Sequence, residues 1–202
     1  MSSTTASTAS VGRGPGAPVA LVLPGAGYTA QAPLLAWSVQ LLAERGWHVQ
    51  VVSWSVDDHA LAHAEGFVAD AARSALDAAR ASGADGPAHV VAKSLGTSCL
   101  PWALDQGLPG AWLTPLSTEP AVRRALDLAG PEHLAVGGDA DPWWAPAGLG
   151  GSGAEIVTVP GADHGLRRAG DWRGSLDDQR GVLERVDAWA ARAERQGSRA
   201  AG

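Results

Sequence analysis

The stretch Val90-Val91-Ala92-Lys93-Ser94-Leu95-Gly96-Thr97-Ser98 organises the rest of this chain. An apolar run leads into a serine that is flanked by the small residues Ala92 and Gly96, and a helix-compatible run follows at once. This pattern is typical of a nucleophile elbow, a tight strand-to-helix turn that exposes a serine hydroxyl above a parallel sheet. Small neighbours are needed because the turn brings the strand and helix backbones close together. A chemical role for Ser94 then depends on a histidine, a carboxylate and backbone donors elsewhere in the chain.

Composition indicates one globular domain. The chain has 202 residues, of which 46% are hydrophobic and 18% charged, and its net charge of -6 gives no electrostatic footprint for nucleic acid. It contains no apolar run of about 20 residues and no apolar segment near its N-terminus, so we expect neither a membrane span nor a signal peptide. The single cysteine, Cys99, can form no internal disulfide and no cysteine-built metal site, and we expect it to pack in the core. These features predict a cytoplasmic protein.

Strand-like and helix-like patterns alternate along the chain. Short apolar runs such as Val19 to Leu23 and Ala88 to Lys93 read as buried strands, and segments with helical spacing lie between them. This alternation predicts an α/β fold, a doubly wound and mostly parallel sheet of about six strands with helices on both faces. We expect residues 1–17 to be a disordered arm, residues 18–193 to be the folded domain, and residues 194–202 to be a polar tail.

Four chemically distinctive segments follow predicted strands. They are the Gly25-Ala26-Gly27 loop, Ser94, Asp141 and His164. In a doubly wound sheet, residues just beyond the carboxyl ends of the strands converge on one crevice, however far apart they are in sequence. We therefore expect these four segments to meet at one site.

The motifs at these strand ends carry a family resemblance. They are Leu23-Pro24-Gly25-Ala26-Gly27, Ala92-Lys93-Ser94-Leu95-Gly96, Gly138-Asp139-Ala140-Asp141-Pro142 and Gly161-Ala162-Asp163-His164. In this order the chain resembles the α/β-hydrolase superfamily, and specifically its small lidless serine hydrolases of the dienelactone-hydrolase-like type, over residues 18–192. The chain departs from the family pattern at Ala92, where the first glycine of the elbow is usual, and at Pro24-Gly25, where His-Gly is common. It also begins at the family's third strand, which implies a sheet of six strands. The short connection between the fourth and fifth predicted strands leaves room for one helix and no large cap.

The resemblance and the chemistry assign the same roles. Ser94 would be the nucleophile and His164 the base that takes its proton near neutral pH. Asp141 would accept the second imidazole N–H and stabilise the imidazolium. The backbone N–H of Leu95, together with that of Ala26 or Gly27, would form the oxyanion hole.

Other acidic and histidine residues offer alternatives. Asp139 competes with Asp141 as the triad acid, although the family's Gly-x-x-Asp-Pro spacing favours Asp141 and leaves Asp139 as a turn former. Asp163 directly precedes His164 and is expected to order that loop. His59 and His63 are four residues apart and could share a metal, but a solvated helix face is favoured because no third ligand lies at a recognisable spacing.

Four residues are candidates for the substrate pocket: Tyr28, Lys93, Trp143 and Trp144. Lys93 is the only lysine among the 15 basic residues. It could be a cation that attracts an acidic substrate or pairs with a carboxylate, or a side chain whose stem packs at the end of the sheet. The two tryptophans directly follow the proposed acid and could line an apolar acyl pocket.

These inferences predict a serine hydrolase that cleaves small-molecule carboxylic esters or thioesters through an acyl-enzyme on Ser94. They imply no metal and no organic cofactor, and neither a nucleic-acid nor a membrane partner. An amidase or peptidase using the same triad is an alternative, because a fold does not determine the leaving group. A non-catalytic module that binds a ligand or a protein is a second one. The oligomeric state is left open.

Overall fold

Seven strands form one sheet in the computed structural model, which describes residues 6–11 and 16–200. The strands are β1 (Ala6–Val11), β2 (Val19–Leu23), β3 (His48–Trp54), β4 (Ala88–Lys93), β5 (Gly110–Leu113), β6 (Leu134–Gly138) and β7 (Glu155–Val159). Their order across the sheet is β1-β3-β2-β4-β5-β6-β7. The six strands from β2 to β7 pair in parallel, and β1 pairs antiparallel with β3. The doubly wound, mostly parallel sheet expected from the sequence is confirmed.

Helices cover both faces of this sheet. They are α1 (Pro33–Glu44), α2 (Asp58–Ala62), α3 (Ala64–Ala81), α4 (Leu100–Asp105), α5 (Pro120–Leu128) and α6 (Trp172–Ala200), with a 3-10 helix at Ser94–Cys99. One apolar core includes buried residues of α1 and α6, and the other includes those of α3, α4 and α5. Within the described residues, no helix combines the length and the apolarity that crossing a bilayer requires.

Strand β4 lies between β2 and β5 and is buried along its whole length. Val90 and Ala92 face the core beneath α3, whereas Val91 faces the core beneath α1 and α6. Successive side chains of a strand point to opposite faces, so a strand covered on both sides reads as a continuous apolar run. This burial holds the start of the following turn, and hence Ser94, at the centre of the sheet.

The expectation of a disordered arm over residues 1–17 is wrong for residues 6–11. These residues form β1, which pairs with β3 from Ala6 opposite Trp54 to Val11 opposite Val49, so the sheet has seven strands rather than six. An unpaired β3 would present a free row of N–H and C=O groups, which another strand can satisfy whatever its side chains are. The expectation of disorder came from the polar composition of these residues. That composition says nothing about hydrogen bonds between backbone groups, so it did not indicate this pairing. Residues 1–5 and 12–15 lie outside the described part.

The C-terminal tail expected from residue 194 also differs, because α6 continues to Ala200. Glu194 accepts hydrogen bonds from Nε1 of Trp47 at 2.7 Å and from the Arg45 guanidinium at 2.7 and 2.9 Å. These charge-assisted hydrogen bonds attach the C-terminal part of α6 to the segment after α1, beyond the last buried apolar residues of the helix. Residues 201–202 lie outside the described part.

The segment after Ser94 divides into two helices. The 3-10 helix ends at Cys99, and α4 begins at Leu100 with Pro101 in its first turn. Proline is tolerated there because the N–H it lacks would have no partner within the helix. Pro101 therefore lies at the start of α4.

Candidate active site

Ser94 lies on a strained turn at the carboxyl end of β4. Its φ is +52°, a left-handed conformation that non-glycine residues rarely adopt. A Cβ placed on Gly96 would lie 2.5 Å from the carbonyl oxygen of Leu23 and 2.8 Å from that of Pro24. Only glycine fits this approach, so the small residue that sequence analysis required after the serine is explained by contact with the end of β2.

Ser94, His164 and Asp141 form a hydrogen-bonded chain. The Ser94 Oγ lies 2.7 Å from Nε2 of His164, and Nδ1 of His164 lies 2.7 Å from Oδ2 of Asp141. A carboxylate only accepts hydrogen bonds, so the proton of the neutral imidazole belongs on Nδ1 and Nε2 is left to accept from the serine hydroxyl. Asp141 is buried, and its Oδ1 accepts from the backbone N–H of Trp143 at 2.9 Å. The arrangement can take a proton from Ser94.

The two competing carboxylates serve the loops around this chain. The Oδ1 of Asp139 accepts from the N–H of Gly161 at 2.5 Å, which joins the loop after β6 to the loop after β7. Asp163 accepts from the N–H groups of Gly165 and Arg167 at 2.7 and 3.0 Å. Partial burial raises the pKa of Asp163, but these donors and the Arg167 guanidinium outweigh burial and lower it. Neither carboxylate has a hydrogen bond to His164 within the described residues, and Asp141 alone of the three contacts the imidazole.

Backbone donors border the serine from two directions. Leu95 is the second residue of the 3-10 helix, and the first N–H groups of a helix have no partner inside it. Ala26 and Gly27 line the same cleft as Ser94, and no backbone carbonyl of the described residues accepts from their N–H groups. The N–H of Gly25 is instead used to close its own turn onto the Tyr28 carbonyl at 2.9 Å. The N–H of Leu95 and that of either Ala26 or Gly27 stay the candidate donors of an oxyanion hole.

A shallow cleft of about 420 Å³ surrounds the serine. It is lined by Ala26, Gly27, Tyr28, Lys93, Ser94, Pro142, Asp163, His164, Gly165 and Arg167. Tyr28 forms one wall with its ring, because its hydroxyl accepts from the N–H of Leu34 at 2.9 Å. Burial raises the pKa of Tyr28, and this hydrogen bond and the charge of Arg167 oppose that rise only in part. Arg167 also lines the cleft, and no local pattern in the sequence indicates its approach.

The tryptophan pair divides between the rim and the core. Trp143 is 45% exposed and meets the His164 ring edge-on, with the ring centroids 4.7 Å apart. Trp144 is only 5% exposed, packs against Gly137, and donates from Nε1 to Thr158 Oγ1 at 3.0 Å. The interpretation of Trp144 as a pocket residue is wrong, because the turn after Asp141 directs the second ring into the sheet.

Lys93 faces inward. Its side chain is 1% exposed, and Nζ donates to Thr114 Oγ1 at 2.8 Å and to the His164 carbonyl at 2.9 Å. The ammonium group also lies 4.5 Å from the centroid of the Tyr28 ring. Lys93 therefore borders the cleft from below, and its charged end contacts protein groups rather than open space.

Two supporting residues have no signal in the sequence. Trp54 donates from Nε1 to the carbonyl of Gly25 at 3.0 Å and thereby holds the glycine loop. Ser117 donates to the carbonyl of Trp143 at 3.0 Å and accepts from the N–H of Ala145 at 2.7 Å, which holds the loop after Asp141. All three bonds join segments far apart along the chain, so periodicity could not reveal them.

The His59 and His63 rings contact each other on an exposed surface, with centroids 4.5 Å apart. Within residues 6–11 and 16–200, no group of three or more His, Cys, Asp or Glu side chains could hold a metal ion. Cys99 is fully buried and donates to the carbonyl of Gly96 at 3.2 Å, and burial raises the pKa of its thiol. It packs in the core, as expected.

Similar solved structures support the fold. No protein-family model matches this sequence, and a search of curated proteins finds no match. The chain is similar to an α/β serine hydrolase homologue from Coxiella burnetii, with a TM-score of 0.65 and 18% identity over 89% of this chain and 90% of that chain. It is also similar to an α/β serine hydrolase without lid from Xanthomonas campestris, with a TM-score of 0.65 and 19% identity over 90% of this chain and 87% of that one. A third similar structure is a dienelactone hydrolase from Anabaena variabilis, with a TM-score of 0.67 and 16% identity over 91% of this chain and 90% of that one. The chain therefore has the α/β-hydrolase fold.

Proposed function

We propose that this protein is a serine hydrolase that cleaves carboxylic esters or thioesters through an acyl-enzyme on Ser94. The observation that carries the proposal is the chain from Ser94 Oγ through the His164 imidazole to Asp141, with 2.7 Å at each contact. The three residues come from loops after β4, β7 and β6, and a serine-histidine-carboxylate relay at the carboxyl edge of a parallel sheet is the arrangement that activates a serine.

The reaction follows from this geometry. Ser94 Oγ attacks the acyl carbon while Nε2 of His164 takes the hydroxyl proton, and Asp141 stabilises the imidazolium that forms. The oxygen of the tetrahedral intermediate accepts from the N–H of Leu95 and from that of Ala26 or Gly27. His164 then gives its proton to the departing alcohol or thiol. Water then attacks the acyl carbon of the acyl-enzyme while His164 takes its proton. His164 returns the proton to Ser94 Oγ, and the carboxylic acid is released.

The shape of the cleft favours exposed acyl groups. The connection from β5 to β6 holds only α5, so no inserted cap covers Ser94 from that side. Trp143 supplies an apolar edge beside His164, and Tyr28 supplies an aromatic wall opposite. We propose a small-molecule ester as the substrate and a cytoplasmic location, in which the protein needs neither a metal nor an organic cofactor.

A fluorophosphonate probe tests the proposal directly, because it reacts with an activated serine. We expect the wild-type protein to be labelled and Ser94→Ala not to be, with both proteins folded by circular dichroism. Labelling that persists in Ser94→Ala would place the reactive group elsewhere. Folded wild-type protein that resists labelling would instead favour a non-catalytic binding module.

The leaving group is tested by comparing p-nitrophenyl acetate with p-nitroacetanilide. Both release a chromophore from the same acyl group, so the comparison isolates the bond that is cleaved. We expect turnover of the ester and none of the anilide. Comparable turnover of both would identify an amidase that uses the same three residues.

A further inference from the structure

Lys93 is a buried cation with three directed contacts. Its neighbours are Thr114 Oγ1 at 2.8 Å, the carbonyl of His164 at 2.9 Å, and the Tyr28 ring at 4.5 Å. The ammonium group donates hydrogen bonds to the two oxygens and lies over the face of the Tyr28 ring, so protein groups meet it on three sides. Only 1% of the side chain is exposed, which leaves little of it for a substrate to contact.

The three contacts join three separate segments. Tyr28 lies in the loop after β2, Thr114 follows β5, and His164 lies in the loop after β7. Lys93 itself ends β4, one residue before Ser94. The ammonium group thus links the strand that bears the serine to the loop that bears the histidine.

The carbonyl of His164 is held from outside its own loop by Lys93. Among the described residues, no backbone N–H donates to the carbonyl of His164, so Nζ of Lys93 is its donor. The loop also contains Leu166 at φ +53°, a left-handed and strained conformation. A strained loop needs an anchor from outside if the imidazole is to keep one position.

The charges around Lys93 explain how it is tolerated there. Burial lowers the pKa of Lys93 to about 8, while the carboxylates of Asp141 and Asp163 raise it and Arg167 lowers it. Tyr28 and His164 are the other titratable groups that face it. Near neutral pH the side chain is mainly an ammonium ion. Above pH 8 it is mainly an uncharged amine, which loses the cation–π attraction to Tyr28 and the charge that strengthens its two hydrogen bonds.

We propose that Lys93 is a positioning residue whose ammonium group, anchored on Thr114, holds the backbone of His164 so that its imidazole stays within hydrogen-bond reach of Ser94. The proposal rests on the proposed function, because it gives the lysine a role in that reaction. Lys93 touches neither the substrate nor the reacting atoms, and it acts through the placement of the base.

Lys93→Met tests this directly, because methionine keeps an unbranched apolar stem and removes all three N–H donors. A misplaced catalytic group costs about 100-fold in rate. We expect kcat for p-nitrophenyl acetate to fall by about 10- to 100-fold and KM to change by less than about threefold. We also expect the wild-type kcat to decline as pH rises through about 8, where the ammonium is lost, and this decline to be absent in the variant.

Two further variants separate positioning from folding. Thr114→Val removes the hydroxyl that anchors the ammonium group, and we expect kcat to fall in the same direction by about 3- to 10-fold. Val91→Ala is the matched control, since Val91 is buried on the same strand two residues before Lys93 and belongs to the apolar core beneath α1 and α6. It should lower Tm by roughly 5 °C and leave kcat within about twofold of wild type.

The outcomes are distinct. Wild-type kcat and an unchanged pH profile in both Lys93→Met and Thr114→Val would overturn the proposal, as would an equal loss of kcat in Val91→Ala. If the wild-type protein neither reacts with fluorophosphonate nor hydrolyses esters, the proposed function fails. The positioning of His164 by Lys93 is then tested by the NMR resonance of the His164 Nδ1 proton, which is hydrogen-bonded to Asp141. Its loss in Lys93→Met but not in Val91→Ala supports positioning, and its retention in both refutes it.

Discussion

The two edges of the parallel sheet use histidine in opposite ways. At the carboxyl edge, the His164 side chain is 25% exposed and is bonded to a serine on one nitrogen and a carboxylate on the other. At the amino edge, His89 is 4% exposed, and its ring packs against those of Trp47 and Trp189 at centroid distances of 4.7 and 5.9 Å. The residue type is the same. The surroundings decide whether the imidazole can exchange a proton or only fill space.

At the amino edge, burial favours the uncharged form of His89 and of His133. Burial lowers the pKa of His89 to about 4, although the Pro87 and Val19 carbonyls and the charge of Glu194 oppose this. His133 uses Nδ1 to accept from the N–H of Gly110 and from Nε1 of Trp112, and burial lowers its pKa as well. Such an environment stabilises the neutral imidazole and leaves little of either ring exposed.

The largest expected effect comes from exchanging each histidine for glutamine. His164→Gln should lower kcat/KM for p-nitrophenyl acetate by about 10⁴-fold or more, because the base is lost. His89→Gln should leave kcat/KM within about threefold, since His89 lies at the opposite edge of the sheet and borders no part of the cleft. Both are measured by steady-state kinetics on protein checked for folding. Similar losses in the two variants would break the distinction between the edges.

A smaller effect is expected on stability below neutral pH. The folded-state pKa of His89 is about 4, below its unfolded value of 6.5, so between these values the unfolded chain binds the proton more readily. The free energy of unfolding is therefore undiminished by His89 above pH 6.5 and falls as pH falls, by about 2 kcal/mol between pH 7 and pH 5.

Urea unfolding at pH 7 and pH 5 measures this loss. His89→Gln should show a smaller difference between the two pH values, because glutamine does not titrate. A wild-type free energy of unfolding that is the same at both pH values would contradict the assignment of His89 as a buried neutral residue.

The smallest effect concerns Trp143, the exposed ring beside His164. Trp143→Ala should reduce the preference for longer acyl chains over acetate by roughly 3- to 10-fold, because an apolar surface contributes modestly for each methylene. Its effect on Tm should be slight, since the ring is 45% exposed. Trp172→Ala is the matched control, as Trp172 is exposed but does not contact His164. An unchanged preference across a p-nitrophenyl ester series would remove Trp143 from the pocket.

Much of the carboxyl edge could be predicted from sequence because its signals are local. Ser94 follows an apolar run and precedes a glycine, and Asp141 and His164 each follow a strand in a loop of recognisable composition. Strand ends of a parallel sheet meet at one edge, so order along the chain was enough to bring the three together. Trp144, in contrast, has the same local sequence context as Trp143 but is buried, because adjacent side chains in this turn point in different directions.

The sequence by itself determined the alternation of strands and helices and the segments that end at the site, because burial patterns along a chain encode both. Only the tertiary structure decided that residues 6–11 add a seventh strand, that Asp139 bonds Gly161 rather than His164, and that the charge of Lys93 points inward. Each of these depends on a hydrogen bond between groups far apart in the chain. Such bonds depend on distances of a few ångströms after folding, and no local pattern of residues carries that information.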